Sequence, residues 1–293
     1  MTIKLAVLIT CFNRKDITLN CLKKLTKQIN IQDIEMIIYV VDDNSCDGTY
    51  RAIKDSYPEV ILLNGCGNLF WNGGMRMAYD KAKLKRFDYY LWLNDDTQLS
   101  SHAISTLFDC AKNYNSTYGN QAIIIGSTSD TIKSKTTYGG LVRKSNWQKT
   151  KFNVVPATTQ PQLCDTMNGN CVLIPSVIAN ALGNMERKFS HGMGDIDYGL
   201  RARKLGYDIL IAPNYVGHCE RNNIKGSFED SSLPLKKRIQ LILSPKGLPL
   251  KTWIIFTRRH AGVFWPIYFI WPYVSVLLNT LSEAILKGLQ RYK

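Results

Sequence analysis

Two clusters of acidic side chains are the positions in this sequence best suited to chemistry. Asn94-Asp95-Asp96 follows an aromatic, strand-like run, Tyr89–Leu93, and Asp195-Ile196-Asp197 opens an amphipathic stretch that ends at Lys204. Open α/β sheets place ligands at strand ends, where carboxylates can hold a cation against a diphosphate leaving group. A carboxylate in the second cluster can take a proton from a hydroxyl. The two clusters therefore indicate transfer of a group from a diphosphate to a hydroxyl acceptor.

A third acidic segment lies earlier in the chain, where an apolar strand ends at Asp42 and Asp43 and a helix follows. Asp47 or Ser45 can cap that helix, because both side chains accept hydrogen bonds from free backbone N–H groups. Capping accounts for only one of the acids. A carboxylate at a strand end can also accept the imide hydrogen of uracil or thymine. We expect Asp42 and Asp43 to lie at a nucleotide base.

Paired glycines mark another candidate segment, Asn68–Arg76. This segment has two equally good interpretations: a glycine-containing turn that caps a helix, or a ligand site. In the ligand interpretation, backbone amides beside Gly74 face a diphosphate at a helix start, and Arg76 adds a charge-assisted contact.

Strand-like and helical patterns alternate through the first half of the chain, and the strands are almost wholly apolar. Such alternation predicts a mostly parallel sheet, buried on both faces and flanked by helices. Regularity stops after Gly126, and Ser127 to Gln162 reads as an irregular or hairpin excursion with a turn at Gly139-Gly140. The predicted strands are Leu5–Thr10, Met36–Val41, Val60–Leu63, Tyr89–Leu93, Ala122–Gly126, Cys171–Ile174 and Asp208–Ala212. The predicted helices are Ile17–Ile29, Thr49–Tyr57, Gly73–Lys85, Ser100–Tyr114, one from Ser176, and Asp195–Lys204.

Four motifs occur in an order and spacing that identify a family. They are Thr10-Cys11-Phe12-Asn13-Arg14, the run from Asp42 to Thr49, Asn94-Asp95-Asp96, and Asp195-Ile196-Asp197 with Arg201 and Gly206. Together they resemble the signatures of the family 2 glycosyltransferases, which have the GT-A fold, a Rossmann-like sheet flanked by helices. The resemblance covers roughly residues 3 to 220, and motifs in the right context carry more weight than any one alone.

The resemblance implies a donor site for a nucleotide-diphosphate sugar. Asp96 matches the second acid of the metal-binding DxD motif, which implies Mg²⁺ or Mn²⁺. Asn94 stands where the family has the first Asp, and an amide oxygen is a poorer ligand for a hard cation than a carboxylate. The residues implied or predicted on the donor side are Thr10, Phe12, Arg14, Asp42, Asp43, Gly74, Arg76, Asn94 and Asp95.

The resemblance also implies the reacting groups. Asp195 matches the family's general base, although the Glu that precedes it in the family is Gly194 here. Asp197 is placed on the acceptor side, with a salt bridge to Arg201, four residues on, as the alternative. His191 is a second acceptor-side candidate. A lone histidine such as His218 is usually structural, but in GT-A enzymes a histidine beyond the catalytic helix often completes the metal site.

Charge is concentrated at the C-terminal end. The chain carries a net charge of +14, of which residues 233–293 contribute +9 from ten basic side chains and one acid. Beside these charges runs an uncharged segment, Ala261 to Ser282, with tryptophans and tyrosines spaced through it. Basic residues around an aromatic, apolar segment suit an anionic membrane surface rather than nucleic acid. We expect a catalytic domain at residues 1–232 and a membrane-associating helical region at 233–293, at the cytoplasmic face of the membrane.

The form of that association stays open between three alternatives: helices lying in the interface, a transmembrane span and a buried structural tail. The eight cysteines contain no CxxC pair, which gives no sign of a zinc ribbon or redox motif.

The sequence as a whole predicts an inverting glycosyltransferase acting on a lipid-linked or growing glycan acceptor in surface-polysaccharide synthesis, of the O-antigen kind. The alternatives are a nucleotidyltransferase with a similar metal site and a basic nucleic-acid-binding protein.

Overall fold

The computed structural model describes residues 2–132, 135–221 and 224–290, with side chains to residue 280. The strands are β1 (Ile3–Cys11), β2 (Ile34–Asp42), β3 (Ile61–Asn64), β4 (Tyr89–Leu93), β5 (Gln98–Leu99), β6 (Ala122–Ser129), β7 (Thr136–Tyr138), β8 (Gly140–Arg143), β9 (Phe152–Val154), β10 (Gln162–Leu163), β11 (Thr166–Met167), β12 (Cys171–Pro175) and β13 (Asp208–His218). The helices are α1 (Lys15–Thr26), α2 (Thr49–Ser56), α3 (Phe70–Ala82), α4 (Ala103–Tyr118), α5 (Ser176–Leu182), α6 (Gly194–Lys204), α7 (Leu235–Ile242), α8 (Leu250–His260) and α9 (Trp265–Gln290).

The main sheet runs in the order β10-β13-β6-β12-β4-β1-β2-β3, with β5 added beside β13 and β7 beside β6. Strands β3, β2, β1 and β4 are parallel to one another, as are β6 and β13. Strand β12 is antiparallel to both of its neighbours, β4 and β6. The predicted mostly parallel sheet is confirmed.

Alternate side chains of β1 enter two separate apolar layers. Leu5, Val7 and Ile9 pack in one buried cluster with α1 and α4, through residues such as Leu22 and Leu107. Ala6 and Leu8 pack on the opposite face with α3, α5 and α6. Because successive residues of a strand point to opposite faces, an all-apolar strand is stable only with helices on both sides. This explains why the predicted strands lacked polar alternation.

The excursion after β6 forms a small second sheet of β11, β8 and β9. Strands β8 and β9 pair antiparallel from Leu141 with Val154 to Arg143 with Phe152, which confirms the hairpin interpretation. Gly139 lies at the bend between β7 and β8. Tyr138, at the end of β7, lies on the wall of a cavity at the carboxyl ends of β1, β2 and β4, so this excursion contributes to the candidate site.

The C-terminal helices are built onto the sheet domain. Trp253 and Phe256 of α8 are buried in a third apolar cluster with Phe189 and with Leu200 of α6. The boundary predicted at residue 232 stays a prediction, but α8 packs in this cluster against α6, which lies before that boundary.

One helix in the described part of the chain is long and apolar enough to cross a membrane. It covers Gly262–Thr280, includes a short 3-10 turn at Gly262–Phe264, and has 6% of its residues buried inside the fold. This criterion rests on length and composition alone. Most of these residues are exposed or half-buried, and the form of association with a membrane stays a prediction.

Candidate functional site

A cavity of about 370 Å³ opens at the carboxyl ends of β1, β2 and β4. These strands are parallel and adjacent, and Cys11 at the end of β1 pairs with Asp42 at the end of β2. Their C-terminal loops therefore converge at one edge of the sheet, where open α/β folds bind ligands. The predicted residues that line the cavity are Thr10, Phe12, Arg14, Asp43, Asn94, Asp95, Asp96, His191 and Asp195.

Arg14 holds the two acids that follow β4. Its Nη1 lies 3.2 Å from Asp95 Oδ1 and 2.9 Å from Asp96 Oδ2. Asp95 is 6% exposed and also accepts a hydrogen bond from Thr18. Burial raises the pKa of Asp95 to about 6, against the lowering effect of the Arg14 charge. Asp96 is the more exposed of the two, with 31% of its side chain accessible.

Asn94 is anchored by an aromatic side chain. Its Oδ1 accepts a hydrogen bond from Trp71 Nε1 at 2.7 Å. Asn94 Oδ1 therefore stays in the cavity wall but is engaged by the indole N–H. The Asn94 amide oxygen matches this neighbour, because the indole N–H of Trp71 can only donate.

The residues present fit a divalent cation whose coordination is completed by water and substrate phosphates. They do not fit a cation coordinated by protein side chains alone. Asp96 offers a partly exposed carboxylate at the cavity wall, and Mg²⁺ commonly uses one or two carboxylates with water and substrate phosphates. Within the described ranges, no group of three or more His, Cys, Asp or Glu side chains converges as a metal centre.

His218 is not brought into this cavity. It is exposed on β13, opposite Gln98, and its Nδ1 lies 3.1 Å from Ser129 Oγ. The next residue, Cys219, points the other way, with its Sγ 3.5 Å from Asp96 Oδ1. Alternation along the strand explains the difference, because neighbouring side chains leave opposite faces. The expected position of His218 beside Asp96 is thus corrected.

The two acids after β2 have separate surroundings. Asp42 is 1% exposed, does not line the cavity, and accepts hydrogen bonds from the Ser45 hydroxyl and backbone N–H. Asp43 faces the cavity and accepts backbone hydrogen bonds from Gly67, Leu69 and Phe70 at 2.8 to 3.1 Å. The base contact predicted for Asp42 is therefore possible in this arrangement only for Asp43.

Gly74 serves close packing rather than phosphate binding. It lies inside α3 and outside the cavity lining, directly against Thr10 of β1. A Cβ added at Gly74 would meet Thr10 Oγ1 and lie 2.6 Å from Thr10 Cβ. Only glycine lets α3 approach β1 this closely, so the predicted diphosphate contact is replaced by a packing role.

We expect Gly74→Ala to lower the melting temperature. The clash with Thr10 costs about 1 to 3 kcal/mol, which outweighs the gain of about 1 kcal/mol in helix propensity. Differential scanning fluorimetry of this variant beside Gly192→Ala, where a Cβ meets nothing within 4 Å, checks the prediction. Equal melting temperatures for the two variants would contradict it.

Arg76 also lies outside the cavity. Its guanidinium donates to the Met185 carbonyl and lines a separate surface groove with Arg187 and Ser190. Helix α3 begins at Phe70, three residues before the predicted start, so Arg76 is in its second turn, where it contacts the segment after α5 at Met185 rather than the strand ends.

Arg76→Ala should therefore leave nucleotide affinity within about twofold of the wild type, since charged groups make strong contacts only at hydrogen-bonding distance. Arg14→Ala, at the cavity wall, should weaken nucleotide affinity about tenfold or more. Isothermal calorimetry with nucleoside diphosphates measures both. A larger loss for Arg76→Ala than for Arg14→Ala would restore the sequence-based assignment.

Asp195 stands in the first turn of α6, on the cavity wall. Its carboxylate accepts backbone hydrogen bonds from Gly169 at 3.0 Å and Ile196 at 2.8 Å. Burial raises the pKa of Asp195 despite these two donors. A fixed carboxylate of raised basicity that faces a cavity is suited to accept a proton.

Asp197 is on the opposite side of α6 and outside the cavity. It is fully buried and pairs with Arg201 at 2.9 Å, Arg259 at 2.7 Å and His260 at 2.8 Å. Burial alone would raise the pKa of Asp197, but the His260 hydrogen bond and the two arginine charges lower it. The predicted salt bridge to Arg201 is confirmed, whereas the acceptor-side position is wrong, because Asp197 ties α6 to α8.

Two polar atoms on the cavity wall have no hydrogen-bond partner among the described residues. They are His191 Nδ1 and Asn168 Oδ1, and both are buried. Burial, with the charges of Lys246 and Arg14, lowers the pKa of His191 to about 4, so its imidazole is neutral at pH 7.

Several cavity residues were not predicted from sequence. Trp71 and Tyr138 come from segments that were noticed but whose side chains carried no assignment. Lys246 reaches the cavity from the turn between α7 and α8, inside the region assigned to membrane contact. A lone lysine in a basic tail has no local signal of such a role, because only the tertiary fold brings it to the site.

Structural comparisons support the fold assignment. A mannosyltransferase, PcManGT from Pyrobaculum calidifontis, solved with GDP-Man and Mn²⁺, has a TM-score of 0.56 and 13% identity over 97% of this chain and 76% of its own. S. aureus TarS residues 1–349, solved with UDP, has a TM-score of 0.51 and 11% identity over 87% and 71%. GalNAc-T7, solved with UDP, GalNAc and Mn²⁺, has a TM-score of 0.60 and 14% identity over 76% and 44%. At these identities the likeness shows the shared GT-A fold.

Sequence comparison gives the family. No curated protein matches the chain significantly. The profile described as "Glycosyl transferase family 2" matches residues 6–174, more than half of the chain, and spans the strand ends that build the donor side of the cavity. The chain therefore belongs to glycosyl transferase family 2 and is a glycosyltransferase of the GT-A fold.

Proposed function

We propose that this glycosyltransferase moves a sugar from a nucleoside-diphosphate donor to a hydroxyl of a lipid-linked or growing glycan acceptor, with inversion. The observation that carries the proposal is that Asp195 faces the same cavity as Asp96 and Arg14. A proton acceptor and groups able to bind a diphosphate thus stand around one space. Solved enzymes of this fold contain GDP-Man, or UDP with Mn²⁺, which supports a donor of this class.

Asp43 and Phe12 are suited to the nucleotide base. A carboxylate has about four lone-pair sites, and three backbone N–H groups already bond to Asp43. The remaining site can accept the imide N–H of uracil or thymine. The Phe12 ring, 49% exposed at the cavity wall, offers a face for the base to stack on.

Arg14 and Asp96 are suited to the diphosphate. The guanidinium of Arg14 places a positive charge at the cavity wall, where it can reach phosphate oxygens as well as the two carboxylates. Asp96 would hold Mg²⁺ or Mn²⁺ together with substrate phosphates, and that ion, when bound, neutralises charge on the leaving diphosphate.

Inversion is supported by the engagement of the carboxylates other than Asp195, since Asp43 is bonded by three backbone N–H groups and Asp96 by Arg14. Asp197, two residues from Asp195, is buried in ion pairs outside the cavity, and Asp95 is held by Arg14 and Thr18. A retaining double displacement needs a nucleophile in addition to the acid–base group. With Asp195 acting as the base, one direct displacement by the acceptor hydroxyl is the simplest reaction that these side chains perform.

The cavity supports a sugar more than a nucleoside triphosphate. The cavity lining places the neutral polar side chains of His191 and Asn168 in the same wall as Asp195, and such a wall suits a hydroxyl-rich ligand. The loop after β1, Cys11-Phe12-Asn13-Arg14, lacks the glycine- and basic-rich stretch expected of a nucleotidyltransferase. The alternative function, nucleic-acid binding, is less favoured because the excess positive charge of residues 233–293 lies beside exposed apolar side chains.

We also propose that α9 and the turn before it lie in the surface of a membrane, at its cytoplasmic face, where surface-polysaccharide intermediates are assembled. Interfacial helices combine an apolar face with basic neighbours, and Arg258 lies over the Trp265 ring at 5.4 Å. The exposed apolar side chains of this surface are Val263, Phe264, Ile267, Ile270, Trp271, Leu277 and Leu278.

Vesicle flotation tests the membrane proposal. Ile267→Glu combined with Trp271→Glu should abolish binding to vesicles that contain phosphatidylglycerol, because two charges enter the apolar face. Leu84→Glu, at a side chain 75% exposed elsewhere on the surface, is the control and should bind as the wild type does. Undiminished flotation of the double variant would refute this surface.

Calorimetry with a panel of nucleotides and nucleotide sugars, with and without Mn²⁺, tests the donor class in the detergent-solubilised protein. We expect binding of a nucleoside diphosphate or its sugar, strengthened by Mn²⁺ because Asp96 and the phosphates share the ion. No binding of any diphosphate by folded protein would overturn the proposed function.

A further inference from the structure

Lys246 brings a positive charge from the C-terminal region to the cavity. It lies on the turn between α7 and α8 and lines the cavity with Arg14, His191 and Asp195. Whereas Arg14 is neutralised by Asp95 and Asp96, Lys246 has no hydrogen bond or ion pair with the described residues. An ammonium group without a protein counter-ion at a cavity wall attracts an anionic ligand.

The turn that carries Lys246 is fixed by backbone hydrogen bonds. Gly247 N–H donates to Ser244 O at 2.9 Å, and Leu248 N–H donates to Ile242 O at 2.6 Å. A Cβ at Gly247 would lie 2.8 Å from the Ile242 carbonyl carbon, so the chain closes tightly here. The position of the Lys246 backbone is therefore set by the fold, and the lysine is presented to the cavity by a defined turn.

The same turn is attached to the apolar helix. Tyr273 of α9 donates its hydroxyl to Leu248 O at 2.6 Å, and Trp253 Nε1 of α8 donates to Phe269 O of α9 at 3.1 Å. The helix proposed for the membrane surface thus holds the turn that presents Lys246. This places the C-terminal region in contact with both the lipid surface and the reaction cavity.

We infer that Lys246 is a binding residue for a phosphate group of a substrate, so that the C-terminal region completes the reaction site as well as attaching the enzyme to the membrane. This rests on the proposed function. The shared chemistry is a phosphate or diphosphate, and it has two sources: the diphosphate of the donor, or the phosphate that joins a lipid-linked acceptor to its lipid.

Deletion of residues 233–293 does not separate these roles, because it removes Lys246 and uncovers the apolar cluster around Phe189 and Leu200. Point variants of the full chain are needed. Lys246→Ala removes the charge, Lys246→Arg keeps it, and Lys251→Ala is the control at an exposed lysine of α8 outside the cavity.

Calorimetry of these proteins in detergent uses three probes: inorganic pyrophosphate, the nucleoside diphosphates UDP, dTDP and GDP, and farnesyl diphosphate. Loss of one charge-assisted contact should weaken binding of pyrophosphate to Lys246→Ala about tenfold. Lys246→Arg should stay within about threefold, and Lys251→Ala should match the wild type. A parallel loss for the nucleoside diphosphates assigns Lys246 to the donor, and one for farnesyl diphosphate assigns it to a lipid-linked acceptor.

The inference is overturned if Lys246→Ala binds every probe as the wild type does, if Lys251→Ala loses as much affinity, or if the wild type binds none of the probes. Failure of the proposed function has a different signature. In that case the wild type binds no nucleoside diphosphate, while the pyrophosphate and farnesyl diphosphate arms still decide whether Lys246 binds phosphate.

Discussion

Asp195→Asn should lower the transfer rate by a factor of about 10² to 10⁴, the usual contribution of a general base. The amide has almost the same shape but cannot take the acceptor proton at neutral pH. Since Asp195 accepts hydrogen bonds from Gly169 and Ile196, the variant also loses one backbone contact, and a small fall in melting temperature is expected. Steady-state rates at saturating donor, with nucleoside diphosphate release as the signal, measure the effect.

Two controls isolate the chemical step of Asp195→Asn. Donor affinity by calorimetry should stay within about threefold of the wild type, because a base removed from the reaction leaves ground-state binding in place. Asp109→Asn, at an exposed carboxylate of α4, should retain full activity. Full turnover by Asp195→Asn would remove Asp195 from the role of base.

The pH dependence of the wild type follows from the same carboxylate. Burial raises the pKa of Asp195 above its ordinary value of 3.8, and the base works only when it is ionised. The rate should therefore fall on acidification at a pH above the usual range of aspartate, and Asp195→Asn should lack that limb. A wild-type acid limb at or below the ordinary aspartate range would contradict the assignment.

Asp197→Ala should be among the most destabilising single substitutions in the chain. Removing one partner from a buried ion pair typically costs about 3 to 5 kcal/mol. Arg201 and Arg259 are 20% and 30% exposed and can regain some water, which favours the lower end of that range. Urea unfolding at pH 7 measures the free energy of unfolding. A loss of stability in Asp197→Ala no larger than that for a surface ion pair would show that Asp197 does not hold α8 to α6.

A surface pair offers the matched control. Arg51 and Asp55 are four residues apart on α2, at 89% and 67% exposure, so Asp55→Ala should cost less than about 0.5 kcal/mol. The stability lost in Asp197→Ala should also depend on pH. Because the pKa of Asp197 is lowered in the folded state, its contribution is present above the ordinary aspartate pKa and disappears as pH falls through the lowered value. The two proteins should converge in stability in acid.

The sheet was predictable because its strands are apolar throughout and its helices show regular spacing. The ends of β1, β2 and β4 carry Arg14, Asp43 and Asp96, and parallel neighbours must bring such residues to one edge. Sequence order therefore predicts that these side chains meet at one edge, and the family resemblance implies their donor-side roles. The pattern predicts Asp195 at the start of a helix, where the structure has it, and its role as base is implied by the family resemblance.

The incorrect positions all required a side-chain direction that sequence order does not provide. His218 is displaced from the cavity by one step of strand alternation, since Cys219 faces Asp96 instead. Arg76 lies in the second turn of α3, on a side of the helix from which its guanidinium contacts Met185 and not the cavity. Asp197 is two residues from Asp195 on α6 and so lies on the opposite face, in contact with α8.

Lys246 shows a different limit of sequence reasoning. Its local pattern is that of a basic tail, and its place in the cavity depends on long-range contacts of α8 with α6 and of Tyr273 with Leu248. Charge counting therefore assigned the whole region after residue 232 to a membrane role. The structure divides that region between an exposed apolar face and a turn at the reaction cavity.

The most direct test of the central claim, a single displacement with Asp195 as the base, is the anomeric configuration of the transferred sugar. A donor that binds in the nucleotide panel, of known anomeric configuration, would be incubated with the enzyme and a membrane lipid extract, and proton NMR would be recorded on the product. The configuration at the anomeric carbon should be inverted, and Asp195→Asn should form this product about 10² to 10⁴ times more slowly. A product of retained configuration would contradict the mechanism, since a single displacement from the face opposite the leaving group must invert the anomeric carbon.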